Sequence, residues 1–272
     1  MGTASETVTA RAIAVLRDAL GTGSVEAMRV AEDLFGLSDL ARTDVRLREA
    51  LTDPARTAGD RTALARDLLG PHVAPATLDV LESLVSGHWS DPMDLHDSLE
   101  VLGILAALDD AIDHDAIGTV EDELFQVRQF LAEHRELRND LSDLGRGTRH
   151  DRAELAQRIF APHVSVWTMR LLRRAVGRTS HGRLLSTIRR LEVHAARLRG
   201  RHLVTVVSAA PMSTAQVARL RRIVSSRLGS DVTVNVAVDP ALIGGFRLLT
   251  GDTAVDSSIS TQVGELRRAL AR

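Results

Sequence analysis

Residues Leu47 to Val85 read LREALTDPARTAGDRTALARDLLGPHVAPATLDVLESLV, and residues Leu137 to Val176 read LRNDLSDLGRGTRHDRAELAQRIFAPHVSVWTMRLLRRAV. With one inserted residue the two stretches agree at about 15 of some 40 positions, where chance at roughly one match in sixteen would give two or three. Shared positions include Leu47/Leu137, Asp53/Asp143, Asp60/Asp151, Arg61/Arg152, Leu64/Leu155 and the triplets Pro71-His72-Val73 and Pro162-His163-Val164; upstream, Leu34-Phe35 matches Leu124-Phe125. Self-similarity at a fixed period marks a structural unit used twice.

Each copy reads as short helices. In the first, Asp60 is placed to cap the helix RTALARDLL, Gly70-Pro71 stops it, and Pro75 opens ATLDVLESLV, with Leu78, Leu81 and Val85 at helical spacing. Asp151 and Pro162 repeat the start and the stop. The first copy opens with a helix near Thr9 to Leu20, and the period puts its counterpart within DLHDSLEVLGILAALDDA, where the last helix of the first copy must also lie. The spacing therefore predicts one helix, about Asp94 to Asp113, that closes the first bundle and opens the second.

After Gly200 the pattern turns to period 2 with β-branched residues. HLVTVVSAA, DVTVNVAVD and LIGGFRLLTG read as strands, STAQVARLRRIVSSRLG as an amphipathic helix ended by Gly229, and about Ser260 to Ala271 as a final helix. The fold class is α followed by α/β: a helical bundle over 1–113, a second over 94–199 sharing the helix at 94–113, and a small α/β domain over 200–272.

Composition narrows the chemistry. The 272 residues include no Cys, and all 34 basic residues are Arg, so the chain has no Lys. That removes disulfides, thiolate nucleophiles, zinc ribbons and iron–sulfur clusters, together with phosphate-loop and Schiff-base lysines. Aromatics are only 3% of the chain, so the cores are aliphatic. Val101 to Leu108 is the longest apolar run, far below the roughly 20 residues of a spanning helix. The opening MGTASETVTARAIAVL lacks a basic segment leading into a continuous apolar one, so no secretory signal is expected. Net charge is −2, yet acids dominate from Asp91 to Glu136 and arginines from Arg146 to Arg201. Neighbouring helices complementing each other is one reading; an acidic partner helix meeting the arginines is the other.

Candidate sites are few. Asp109, Asp110, Asp113, His114 and Asp115 offer oxygen and imidazole ligands, but an acidic helix end is ordinarily solvated, and no metal or cofactor is expected. Gly244-Gly245 has no helix start behind it to hold a phosphate, so it reads as a bulge or close packing. His72 and His163 recur beside Pro at helix boundaries and read as packing or capping. No GxSxG elbow is present, and nothing favours an enzyme. Nucleic acid is set aside because the chain is acidic overall and has no stacking aromatics in the arginine-rich stretch beyond Trp167.

The C-terminal residues carry a family resemblance. Ser208-Ala209 before Met212-Ser213, Asp239-Pro240 with Leu242-Ile243-Gly244-Gly245-Phe246, then Gly251-Asp252 and Asp256 before Ser258, resemble in order and spacing the delta subunits of bacterial F-type ATP synthases and the related oligomycin-sensitivity-conferring protein. Ser257 stands where that family usually has Gly. The helical repeats resemble the family's six-helix N-terminal domain, with the second bundle as an additional copy, an extended form like that of actinobacteria. The resemblance implies a non-catalytic peripheral-stalk subunit at the cytoplasmic face of the membrane. It implies that the helical domain binds N-terminal segments of alpha subunits between its first and fifth helices, and that the C-terminal domain holds the b subunit. Helix-in-groove recognition then falls to Ile13, Leu16 and Leu20 with Leu78, Leu81 and Val85.

Overall fold

A computed structural model describes residues 2–21, 25–145, 147–179, 182–198, 202–228, 232–239, 245–250 and 253–258. The chain divides into two compact units, 1–115 and 116–272.

Six helices make the first unit: α1 (Thr3–Leu20), α2 (Ala27–Thr43), α3 (Val45–Thr52), α4 (Ala58–Leu69), α5 (Pro75–Val85) and α6 (Met93–Asp113). The helix expected at 94–113 is there almost to the residue. Asp60, however, is not the cap of α4: Thr57 is, and Asp60 is the third helical residue. The Thr57 hydroxyl accepts from the Asp60 amide at 3.1 Å while the Asp60 carboxylate accepts from the Thr57 amide at 3.3 Å, which satisfies two donors at once and starts the helix earlier. Pro75 opens α5 as expected, its missing N–H being one the first turn leaves unused.

Aliphatic stripes build the core. α1 lies on α5, and α2 lies along α6. The α2–α6 contact is close because Gly103 has no side chain: a Cβ there would stand 2.6 Å from the Phe35 ring. Two sets of polar side chains within this core are hydrogen-bonded. Thr9 Oγ1 meets Ser98 Oγ at 2.7 Å between α1 and α6, and the Ser38 hydroxyl of α2 lies 3.0 Å from His96 Nδ1 and donates to Glu100 at 3.2 Å.

The second unit holds α7 (Ile117–Glu133), α8 (Arg135–Asp140), α9 (Arg149–Phe160), α10 (Val166–Gly177) and α11 (Leu184–Leu198). Local geometry recurs from the first unit. Thr148 and Asp151 form the same reciprocal cap, so Asp151 too lies one turn inside its helix. Arg61 donates from Nε to Val85 O at 2.7 Å, and Arg152 from Nε to Val176 O at 3.3 Å, each to a carbonyl 24 residues ahead. Asp33 of α2 accepts from the Ala74 amide just before α5, and Glu123 of α7 accepts from the Ser165 amide just before α10. Arg48 reaches back to Ala41 O and Arg138 to Leu131 O, each bracing the end of the preceding helix.

A four-stranded sheet follows, in the order β2-β1-β3-β4, from β1 (His202–Ser208), β2 (Val232–Val238), β3 (Gly245–Thr250) and β4 (Thr253–Ser258). β1 and β2 are parallel, and α12 (Thr214–Leu228) is the crossover between them. β3 runs antiparallel to β1, and β4 antiparallel to β3 with Thr250 opposite Thr253. Val206 and Leu220 are buried here, with Met212, Val224 and Val234 packed on them. β4 is a correction to the sequence reading, which ended the sheet at three strands: TAVDSS is too polar to show as a strand by itself, and it pairs because β3 offers it an edge. The expected final helix at about 260–271 lies outside the described residues.

Candidate partner-binding surfaces

The six apolar residues expected to line a groove are divided by the structure. Leu16, Leu20, Leu81 and Val85 are core, with 1%, 6%, 1% and 0% of their surface exposed. They hold α1 against α5. Ile13 and Leu78 are half-buried and so present apolar surface outward. Leu78 lies over the end of α4, where a Cβ on Gly70 would sit 3.4 Å from its Cδ2. The α1–α5 pair is further fixed at Gly87, where the Val8 side chain occupies the space a Cβ would need.

Arg61 sets the far end of this pair. Buried at 7% exposure, its guanidinium donates to the carbonyls of Val85, Ser86 and Gly87 past the end of α5, and to those of Asp53 and Arg56 in the loop before α4. The last carbonyls of a helix have no partner of their own and carry partial negative charge, so a buried guanidinium satisfies both the bonds and the charge. Arg152 stands in the same place for α10, donating to Val176 O and Gly147 O. The repeat alignment contained both arginines but gave them no role; the signal was an arginine, buried yet retained, following a capping acid in both copies.

The acidic end of α6 is tied to protein. Asp110 accepts from the Met28 amide at 3.1 Å, and His114 Nδ1 lies 2.7 Å from Asp110 O. Burial, then the neighbouring Asp113 charge, raises the Asp109 carboxyl above its ordinary value, with Arg17 opposing. Among the described residues no group of three or more His, Asp or Glu is arranged to hold a metal ion. Ser38, His96 and Glu100 have the composition of a nucleophile set, but Ser38 is fully buried and His96 nearly so, and they bond α2 to α6. No helix is long and apolar enough to cross a membrane, among the described residues.

In the α/β segment, Ser208 ends β1 with its hydroxyl donating to Ala210 O at 2.6 Å, and its carbonyl accepts from the Asp239 amide at 2.9 Å. The two motif residues Ser208 and Asp239 thereby close the ends of the parallel pair together. Ala209 follows half-buried. Gly245 opens β3 opposite Ser258, and Asp256 lies opposite Arg247. Pro240, Gly244 and Asp252 lie outside the described residues.

Helices with buried apolar faces, two of them closed at their ends by buried arginines, followed by a small βαβ-based sheet, define a helical protein with a C-terminal α/β part. The chain belongs to the ATP synthase delta (OSCP) subunit family, whose pattern matches residues 105–270. It is 37% identical over 252 residues to ATP synthase subunit delta of Salinispora tropica, covering 93% of this chain and 92% of that protein. It is 35% identical to the subunit delta of Kineococcus radiotolerans over 94% of this chain and 93% of that one, and 31% identical to that of Pseudarthrobacter chlorophenolicus over 99% of each. A chain in the cryo-electron microscopy structure of the Toxoplasma gondii mitochondrial ATP synthase hexamer overlays with a TM-score of 0.39 at 16% identity, covering 62% of this chain and 96% of that chain, and the assignment does not rest on it.

Proposed function

We propose that this chain is the delta subunit of an F-type ATP synthase, a non-catalytic part of the peripheral stalk that clamps the catalytic head to the b subunit at the cytoplasmic face of the membrane. The observation that carries the reading is the end-to-end correspondence with actinobacterial delta subunits, 93% of this chain against 92% of the Salinispora protein. A head that turned with the rotor would convert proton-driven torque into idle rotation, and a clamp resists this by binding alone.

The helical part is a duplicated domain. Recurrence of the Thr57/Asp60 and Thr148/Asp151 caps and of the Arg61 and Arg152 bonds supports this. α6 starts about 90 residues after α1, where the period places the first helix of the second copy. The family pattern begins within α6, so residues 1–104 are the part beyond it, and the additional copy is the first bundle where the sequence reading made it the second. In the first copy, Ile13 and Leu78 are the half-buried members of an apolar site for an alpha-subunit N-terminal segment, with Leu16, Leu20, Leu81 and Val85 in the core behind them. The α/β segment binds the b subunit.

Native mass spectrometry of the full chain with an alpha-subunit N-terminal peptide tests the clamp. One bound peptide lost in an Ile13→Glu/Leu78→Glu variant supports the site in the first copy, and a second peptide that survives the variant places another in the second copy. No bound peptide at any stoichiometry refutes the groove.

A further inference from the structure

Two helices that occupy related places in the two units differ in the face they turn outward. The buried residues Leu95, Leu99, Leu102 and Ala106 of α6 keep step with Leu184, Ile188, Leu191 and Ala195 of α11, all core. In that register Asp94, Val101 and Leu108 of α6 correspond to Arg183, Arg190 and Arg197. Leu108 is fully buried and Asp94 nearly so, whereas the three arginines are exposed. Seven residues advance a helix by about 10 Å and almost two full turns, so Arg190 and Arg197 share one line along α11, and Arg183, the residue just before its first, stands seven positions ahead of Arg190.

The neighbouring helix changes in the same sense. α5 carries Asp79 and Glu82 where α10 carries Arg170 and Arg173. In the first unit Glu82 is held by a bidentate pair from Arg66, at 2.9 Å for both bonds. In the second, Gln157 and Arg173 replace the two partners, so that pairing is gone. The only acid on α11, Glu192, points into the core. His194 registers the resulting field: burial first, then Arg197 and Arg190, hold its imidazole below the ordinary histidine value. A face that merely ends a bundle needs polarity, and mixed signs supply it without self-repulsion. A row of one sign at seven-residue spacing is a pattern a helix can match.

We infer that the outer face of α11, with Arg190 and Arg197 on the helix and Arg183 at the residue before it, docks an acidic amphipathic helix of a partner protein that carries carboxylates at seven-residue spacing. Charge complementarity sets its register and speeds association. The surface is separate from the apolar site of the first copy and recognises charge where that site recognises apolar side chains.

The test uses the full chain and two labelled synthetic helical peptides of identical composition, one with glutamates every seventh residue and one scrambled, followed by fluorescence anisotropy. A single-stranded oligonucleotide is the third probe. The regular peptide is expected to bind with an affinity that falls with salt, to be preferred over the scrambled one, and to bind at least tenfold more weakly to the Arg183→Glu/Arg190→Glu/Arg197→Glu variant. The corresponding Arg→Gln triple variant, which keeps the helix without adding acids, is expected to lie between. Equal binding of both peptides, tighter binding of the oligonucleotide, no binding at low salt, or triple variants that bind like the parent would each overturn the proposal.

Discussion

Arg61 Nε lies 2.7 Å from the carbonyl oxygen of Val85, so a buried cation from α4 closes the C-terminal end of α5. Its five donors reach five carbonyls across two loops. No other side chain has that planar fork, and lysine has a single point charge. Arg61→Ala is expected to destabilise the first unit by about 3 kcal/mol, since several buried carbonyls lose their partners together. Arg61→Lys should recover less than half of the loss. Urea denaturation of the full chain, with hydrogen exchange to locate the change, measures both; an Arg61→Ala loss under 1 kcal/mol would mean that water replaces the guanidinium. Arg152→Ala should act on α10 in the same direction.

Gly103 gives a second test. A glycine inside α6 costs about 1 kcal/mol of helix propensity against alanine, so Gly103→Ala would stabilise an isolated helix. Here the added Cβ meets the Phe35 ring at 2.6 Å. Overpacking costs about 1–3 kcal/mol, so net destabilisation is expected, and Phe35→Leu in the same chain should relieve it. A Gly103→Ala protein more stable than the parent would show that α2 and α6 can separate cheaply.

Much of the helical fold could be read directly. The repeat at Leu47 and Leu137, the break at Gly70-Pro71 and the start at Pro75 are local signals, and local hydrogen bonding decides them. The groove was not legible in the same way, because an apolar stripe such as Leu16, Leu20, Leu81 and Val85 has the same spacing whether it meets a partner or the protein's own neighbouring helix. Only the burial of those four, set beside the partial exposure of Ile13 and Leu78, separates the two cases. The helix starts at Thr57 and Thr148 were missed because the acid three residues later is Asp and was read as the cap itself. β4 was missed because its pairing depends on β3; the Gly251-Asp252 dipeptide between two short runs is the hairpin signal that could have revealed it.

The reciprocal caps predict a response to acid. Hydrogen bonds from Thr57 hold the Asp60 carboxyl below its ordinary value of 3.8, and hydrogen bonds from Thr148 do the same for Asp151. A carboxylate with a depressed folded-state pKa contributes stability that is present above the ordinary value and is lost as pH falls through the depressed one. Thr57→Ala should cost about 1 kcal/mol at neutral pH. Its deficit should shrink as pH falls below the ordinary carboxylate range, where the parent loses the same interaction. A deficit constant with pH would show that Asp60 contributes nothing through Thr57.

Arg128 and Glu192 predict the opposite trend in the second unit. Their side chains meet at 2.6 Å between α7 and α11, with Glu192 fully buried. Burial raises the Glu192 carboxyl above its ordinary value of 4.5; Arg128 and Arg189 pull it back, and Glu121 adds to the rise. A folded-state pKa raised above the unfolded one gives stability that is complete below the ordinary value and is lost as pH climbs through the raised value. Glu192→Gln has no such loss, so the variant should gain on the parent steadily as pH rises through that window. Arg128→Met should show the converse. Without the guanidinium the ionised carboxylate is buried unpaired, at a cost of about 3–5 kcal/mol near neutral pH. That cost should fall markedly near pH 4, where Glu192 is protonated in the folded chain. Denaturant midpoints for the three proteins between pH 4 and pH 8 decide the matter: curves that stay parallel would show that Glu192 keeps one charge state throughout and that the pair serves packing alone.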